Sequence, residues 1–213
     1  MPKKPKLDTK QMFDLICDFA QNMANPDRYS ESDKPEDEMQ IHFSEFMSHH
    51  YEVLREVNVP ALNPNCGCGT EHWEIDETLR VKGMNGATFY VTGELKLHAS
   101  KMCNTRNYVD EVVADVTKMY YVSRLYTNVP MGFVFFVTCD DEECQSVINE
   151  IEKMSCVTDH VTKKNDKYSA IIIRIIPQNN EASYDYSSHW HNREEYLRSN
   201  NNLKEYYFPR KLK

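Results

Sequence analysis

Over residues 11–24, Met12, Ile16, Phe19, Ala20 and Met23 recur every three or four positions. That spacing puts them on one face of a helix, with Asp8-Thr9 placed to cap it. A polar, turn-rich stretch, 25–35, reads as a loop. The helical period returns from Pro35 to Leu54, with Met39, Phe43, Phe46, Met47, His50 and Leu54 on the apolar face. Proline suits the first turn, and Glu36, Asp37 and Glu38 favour the positive end of the helix dipole. Val57 and Val59 then mark a short extended piece, Arg55–Val59, and residues 60–71 read as a loop.

The period next changes to two. Trp73, Ile75, Leu79 and Val81 alternate with Glu74, Asp76, Thr78 and Arg80. After Asn85-Gly86, a strong hairpin signal, Phe89, Val91, Gly93, Leu95 and Leu97 alternate with Tyr90, Thr92, Glu94, Lys96 and His98. Two antiparallel strands are predicted, each with one apolar and one polar face. Val109, Val112, Val113, Val116, Met119, Tyr120 and Ser123 make the buried stripe of a helix over 108–125. The nearly unbroken apolar runs 132–138 and 168–177 suit strands buried on both faces, with an acidic-fronted helix, 140–154, between them. This order predicts an α/β fold with a mixed central sheet flanked by helices. It divides the chain into an N-terminal helix and loop (1–35), an α/β core (36–177) and an irregular tail rich in aromatic residues and Asn (178–213).

Composition narrows the class. Hydrophobic residues at 40% and charged residues at 27% suit a folded domain, and the longest apolar runs fall well short of the ~20 residues that cross a bilayer. No apolar stretch follows the basic N-terminus, so a cytoplasmic protein without membrane contact is expected. Seven cysteines, an odd number, suggest reduced thiols. The net charge is −8, yet both ends are basic, so the body is strongly acidic. Such a body binds phosphate poorly in general, although carboxylates that hold a metal ion would also contribute that charge.

The candidate chemistry concentrates in residues 73–98. Asp76 lies on the polar face of its strand, and Glu94 and Lys96 lie two residues apart on the polar face of the next, roughly 7 Å from each other. If the strands pair, Asp76 approaches both. Two carboxylates and a backbone carbonyl suit Mg²⁺ or Mn²⁺, and a neighbouring lysine can orient or deprotonate a water. The chemistry this suggests is metal-assisted phosphodiester hydrolysis; the plainer reading is an exposed hairpin face.

Asp76, seventeen intervening residues, then Glu94-Leu95-Lys96, set between helices in this order, resembles the PD-(D/E)xK nuclease superfamily. The resemblance covers about residues 36–176 and lacks the usual proline before the aspartate. It implies a restriction-endonuclease-like α-β-β-β-α-β core and a Mg²⁺-dependent nuclease acting on DNA, or on RNA. In that reading Asp76 and Glu94 bind metal, Lys96 orients the water, and Glu36, in a Glu-x-x-x-Gln pattern with Gln40, supports the site. Lys101, Arg106 and Lys118 would meet substrate, although Asp115 and Lys118 read equally as an exposed ion pair. The alternative is an inactive module of the same fold that binds nucleic acid or another partner. A homodimer is left open. Cys66, Cys68 and His72 invite a zinc site but show no fourth ligand. Tail aromatics such as Tyr184, Trp190 and Tyr206 could stack bases or pack on the domain.

Overall fold

The computed structural model describes residues 8–23, 26–29, 32–60, 72–82, 87–98, 107–126, 128–154 and 156–176. Among them are α1 (Thr9–Met23), a 3₁₀ turn (Pro26–Tyr29), α2 (Pro35–Ser48), β1 (Glu52–Pro60), β2 (His72–Lys82), β3 (Thr88–His98), α3 (Tyr108–Leu125), β4 (Met131–Thr138), α4 (Asp141–Ile151), β5 (Val157–Lys164) and β6 (Ser169–Ile175). Side-chain caps start α1, α3 and α4, whereas α2 opens on Pro35 without one. Asp8 Oδ1 accepts from the Lys10 and Gln11 N–H groups, Asn107 from Asp110, and Asp140 from Glu142 and Glu143.

The strands form one mixed sheet in the order β1-β2-β3-β4-β6-β5. β1, β2 and β3 make an antiparallel meander, and α3 carries the chain over to β4, which runs parallel to β3. β6 pairs antiparallel with both β4 and β5. Phe13, Ile16, Phe19, Phe43 and Met47 of α1 and α2 pack on one face against Leu95, Phe133, Phe135 and Ile172. Val112, Val116, Met119 and Val147 of α3 and α4 pack on the other against Tyr90, Val134, Phe136 and Ile173. The expected mixed α/β sheet with helices on both faces is therefore present. Among the described residues no helix is long and apolar enough to cross a membrane.

Four expectations need correction. The second helix ends at Ser48, not Leu54, because Glu52 onwards pairs with β2 and this β-branched stretch gains more from the sheet than from another turn. The expected loop 25–35 contains the 3₁₀ turn, whose Tyr29 is fully buried. β5 escaped the pattern because it is an edge strand, with mostly polar residues and intermediate or exposed positions throughout. The fourth matters most for the site. Leu79 packs with the α1–α2 layer, whereas Trp73 and Ile75, also odd-numbered, pack with the α3–α4 layer. The pleat thus reverses near Asp76. Opposite it, Glu56 adopts a left-handed φ of 53°, and the 56–76 pair is missing from an otherwise continuous β1–β2 register. The polar face of β3 is not solvated either, since Tyr90, Thr92 and Glu94 are buried beneath α3.

The Asn85-Gly86 turn, Cys66 and Cys68, the Lys101 and Arg106 positions and the tail 178–213 lie outside the described residues.

Candidate active site

Where the pleat reverses, β2 and β3 separate. Their ladder runs from Lys82↔Thr88 to Glu77↔Gly93 and stops there. Beyond that point the N–H groups of Leu95 and Leu97 face a gap instead of a neighbouring strand. Two carboxylates take the place of strand partners. Asp76 Oδ2 accepts from the Leu95 N–H at 2.9 Å, and Glu36 Oε2, reaching over from the first turn of α2, accepts from the Leu97 N–H at 3.2 Å. Gly93 sits at the fork because Phe133 leaves no room for a side chain: a Cβ would lie 2.0 Å from the ring.

A polar seam runs between β3 and α3 on the same side. Glu94 Oε2 holds Lys118 Nζ at 2.7 Å, and Lys118 also donates to the Glu74 carbonyl at 3.0 Å. Lys96 Nζ lies 3.5 Å from Glu36 Oε1 and 3.8 Å from Asp115 Oδ2. Asp115 Oδ1 is 3.9 Å from Lys118 Nζ, which closes the chain of charges. The Glu94 side chain is only 2% exposed, and the other members of the seam are mostly buried.

Burial dominates the electrostatics. It pushes the Glu94 carboxyl well above the ordinary range; Lys118 opposes this, while Asp115 and Asp76 reinforce it. Asp115 is raised by burial too, against the pull of Lys96 and Lys118. For Lys96, burial favours the neutral amine, but Asp115, Glu36, Asp76 and Glu94 outweigh it and hold the ammonium protonated. Lys118 shifts the same way, under Glu94 and Asp115. Lys96 in this setting is therefore held as a cation that donates hydrogen bonds.

The cluster holds four carboxylates (Glu36, Asp76, Glu94, Asp115) against two ammonium groups (Lys96, Lys118). Glu94 Oε1 and Asp115 Oδ2 are buried without a hydrogen-bond partner among the described residues. Hard oxygen donors, two orphaned carboxylate oxygens and an excess of negative charge fit a divalent cation such as Mg²⁺. Among the described residues no three His, Cys, Asp or Glu side chains already converge as ligands, because the ammonium of Lys118 stands between Glu94 and Asp115. No protein-family model, curated protein or solved structure matches this chain.

Asp76, Glu94, Lys96 and Glu36 are thus brought together. Gln40 is turned the other way: it is buried and accepts a hydrogen bond from Arg55 at 3.1 Å, not from anything at the fork. Lys118 is tied to Glu94 instead of being free for substrate, and with Asp115 it is buried, not an exposed surface pair. Asp115 belongs to the seam more closely than its place in the sequence suggested. Its position beside the Val112–Val116–Met119 stripe was the available signal, and the long stem of Lys118 lets it reach back from the far side of the helix. Glu77, a charged residue on the apolar side between Ile75 and Leu79, was not among the expected site residues. Glu77 is fully buried, bonded through both carboxylate oxygens to the Ser44 hydroxyl at 2.8 Å and paired with Arg55 at 3.4 Å.

Proposed function

We propose that this chain has a restriction-endonuclease-like core of the PD-(D/E)xK type and is a divalent-metal-dependent nuclease that hydrolyses phosphodiester bonds in DNA. The observation that carries this reading is the fork between β2 and β3, where Asp76, Glu94, Lys96 and Glu36 meet from three elements around a cluster short of positive charge. Asp76 and Glu94 are the residues that would hold Mg²⁺ or Mn²⁺. A bound dication supplies charge neutralisation at the phosphoryl oxygens and acidifies water. The chain's own part is to place and orient. Lys96, kept protonated, donates to the attacking water or a phosphoryl oxygen. Glu36 holds Lys96 and the Leu97 N–H, and so fixes the end of β3.

One observation favours a second reading, an inactive nucleic-acid-binding or interaction module of the same fold. Lys118 already occupies the space between Glu94 and Asp115 and supplies part of the missing charge. The test is cleavage of single-stranded and duplex DNA and RNA with Mg²⁺ or Mn²⁺ against EDTA. The nuclease reading expects cutting that EDTA abolishes, loss of both cutting and metal binding in Glu94→Ala, and loss of cutting alone in Lys96→Ala. No cutting of any nucleic acid, with Mg²⁺ bound no better by wild type than by Glu94→Ala, leaves the binding module.

A further inference from the structure

The polar seam does not end at Lys96. Glu94, Lys96 and His98 project from the same side of β3, and each meets α3: Glu94 at Lys118, Lys96 at Asp115, and His98 at Tyr108, whose ring stacks on the imidazole at 4.4 Å between centroids and 13° between planes. His98 is held at a second point. Its Nδ1 lies 2.7 Å from Glu143 Oε2, and the same carboxylate oxygen accepts from the Thr138 hydroxyl at 2.7 Å. Thr138 is the register partner of His98 on the neighbouring parallel strand, and Glu143 stands in the first turn of α4. Glu143 thus fixes the tilt of the imidazole and assigns the Nδ1 proton to itself. Nε2 has no partner among the described residues, and the side chain is 12% exposed. A ring oriented by a carboxylate at one nitrogen and open at the other is an arrangement that suits proton transfer.

We propose that His98 is the general acid of the phosphodiester cleavage, with Glu143 as its positioning residue; this rests on the nuclease reading above. In an in-line displacement the attacking and leaving oxygens stand on opposite sides of phosphorus. A proton donor must therefore lie beyond the group that orients the water by about the width of a phosphoryl group. The step from Lys96 to His98 along one face of the strand is about 6.5–7 Å, which supplies that offset. As the bond from the water oxygen to phosphorus forms, the water's proton passes to solvent. The bond from phosphorus to the leaving oxygen breaks, and the Nε2 proton moves onto that oxygen. His98 is left neutral and regains its proton from solvent. A purely structural tie between the ends of β3, β4 and α4 would need the Nδ1 contact alone.

The test compares leaving groups. The product ends of a wild-type digest show which bridging oxygen leaves. A DNA oligonucleotide is then made with that oxygen replaced by sulfur, a leaving group that departs without protonation. His98→Gln keeps a polar side chain beside Glu143, and Glu143→Gln keeps the size of its partner; Mg²⁺ binding and melting temperature show that both variants are folded. The expected result is a loss in kcat of about 10²-fold or more on ordinary DNA in His98→Gln, a smaller loss in Glu143→Gln, and near wild-type rates for both on the sulfur-bridged substrate. Equal losses on the two substrates, or no loss on either, overturn the general-acid role while leaving the nuclease reading intact. A wild type that cuts no nucleic acid overturns the nuclease reading and this proposal with it.

Discussion

Two buried charge clusters flank the point where β1 and β2 reverse their pleat, and they differ in how their charge is met. On the α2 side, Glu77 is enclosed by Ser44 and Arg55, and Arg55 is itself bonded to Gln40. One carboxylate faces one guanidinium, and both carboxylate oxygens accept from Ser44, although the buried Arg55 Nε has no hydrogen-bond partner among the described residues. On the α3 side, four carboxylates share two lysines, and two buried oxygens have no hydrogen-bond partner. A balanced cluster ties helix to sheet. An unbalanced one stores an electrostatic cost that a proton on Glu94 or Asp115, or a further cation, relieves, and proteins tolerate such costs mainly where function needs them.

The largest expected effect breaks the unbalanced side. Glu94→Ala removes the most deeply buried carboxylate of that cluster and should lower cleavage by about 10³-fold or more, since a dication contributes several kcal/mol to the transition state. It should also abolish the rise in melting temperature expected of the wild type in Mg²⁺, because a ligand stabilises only the fold that binds it. A Glu94→Ala protein that Mg²⁺ still stabilises as strongly as wild type would mean that the excess charge does not serve a metal. Next comes Lys118. Lys118→Ala strips Glu94 of its 2.7 Å partner and leaves a buried charge uncompensated, which typically costs about 3–5 kcal/mol. Denaturant titration in EDTA should show that loss, and Mg²⁺ should restore much of it, because the cation enters the space the ammonium vacates. An unchanged unfolding midpoint in EDTA would show that Lys118 is not the counter-ion of Glu94.

The contrast between the clusters was only partly legible in the sequence. Helical and strand periods located α1, α3 and β3 because each buries an apolar stripe, β4 and β6 because they are apolar on both faces, and β2 although its pleat reverses part-way. Glu94 and Lys96 were legible because they follow the alternation of β3, and Asp76 because it follows that of the first half of β2. The balanced cluster was not. Period-two reasoning assumes one continuous pleat, and the break at Glu56 and Asp76 depends on a backbone conformation that no side-chain pattern announces. Nor does alternation distinguish a solvated polar face from one buried under a helix, so Asp115 and Lys118 looked like surface residues. β5 was hidden because its polarity is that of an edge.

Gly93→Ala is expected to act on the fork without touching a charge. Its Cβ would lie 2.0 Å from the Phe133 ring, so the ring or the strand must shift, at a cost of about 1–3 kcal/mol. Because Gly93 precedes Glu94, cleavage should fall as well. A variant with a lowered melting temperature and undiminished cleavage would show that the separation of β2 and β3 tolerates movement of the fork.

The smallest effect sharpens the comparison from the balanced side. Burial raises the Glu77 carboxyl from 4.5 to about 8, with Ser44 and Arg55 opposing the rise. A carboxyl whose folded value lies above its unfolded one keeps its proton in the native state after the unfolded chain has lost it. Between about pH 4.5 and 8 the unfolded state therefore binds fewer protons, and stability falls as pH rises through that window. Above it both states are ionised, and the dependence on Glu77 disappears. Glu77→Gln removes this contribution while keeping a partner for Ser44. The difference in unfolding free energy between variant and wild type should therefore move in the variant's favour from pH 5 to pH 8, by on the order of 2 kcal/mol once the partial solvation of Arg55 is discounted. Glu94 and Asp115 are unchanged in the pair, so their own titrations cancel in the difference. A difference that stays flat across pH 5–8 would place Glu77 as an ordinary ionised partner of Arg55, and the two clusters would then differ in how burial acts on their carboxyls as well as in their number of charges.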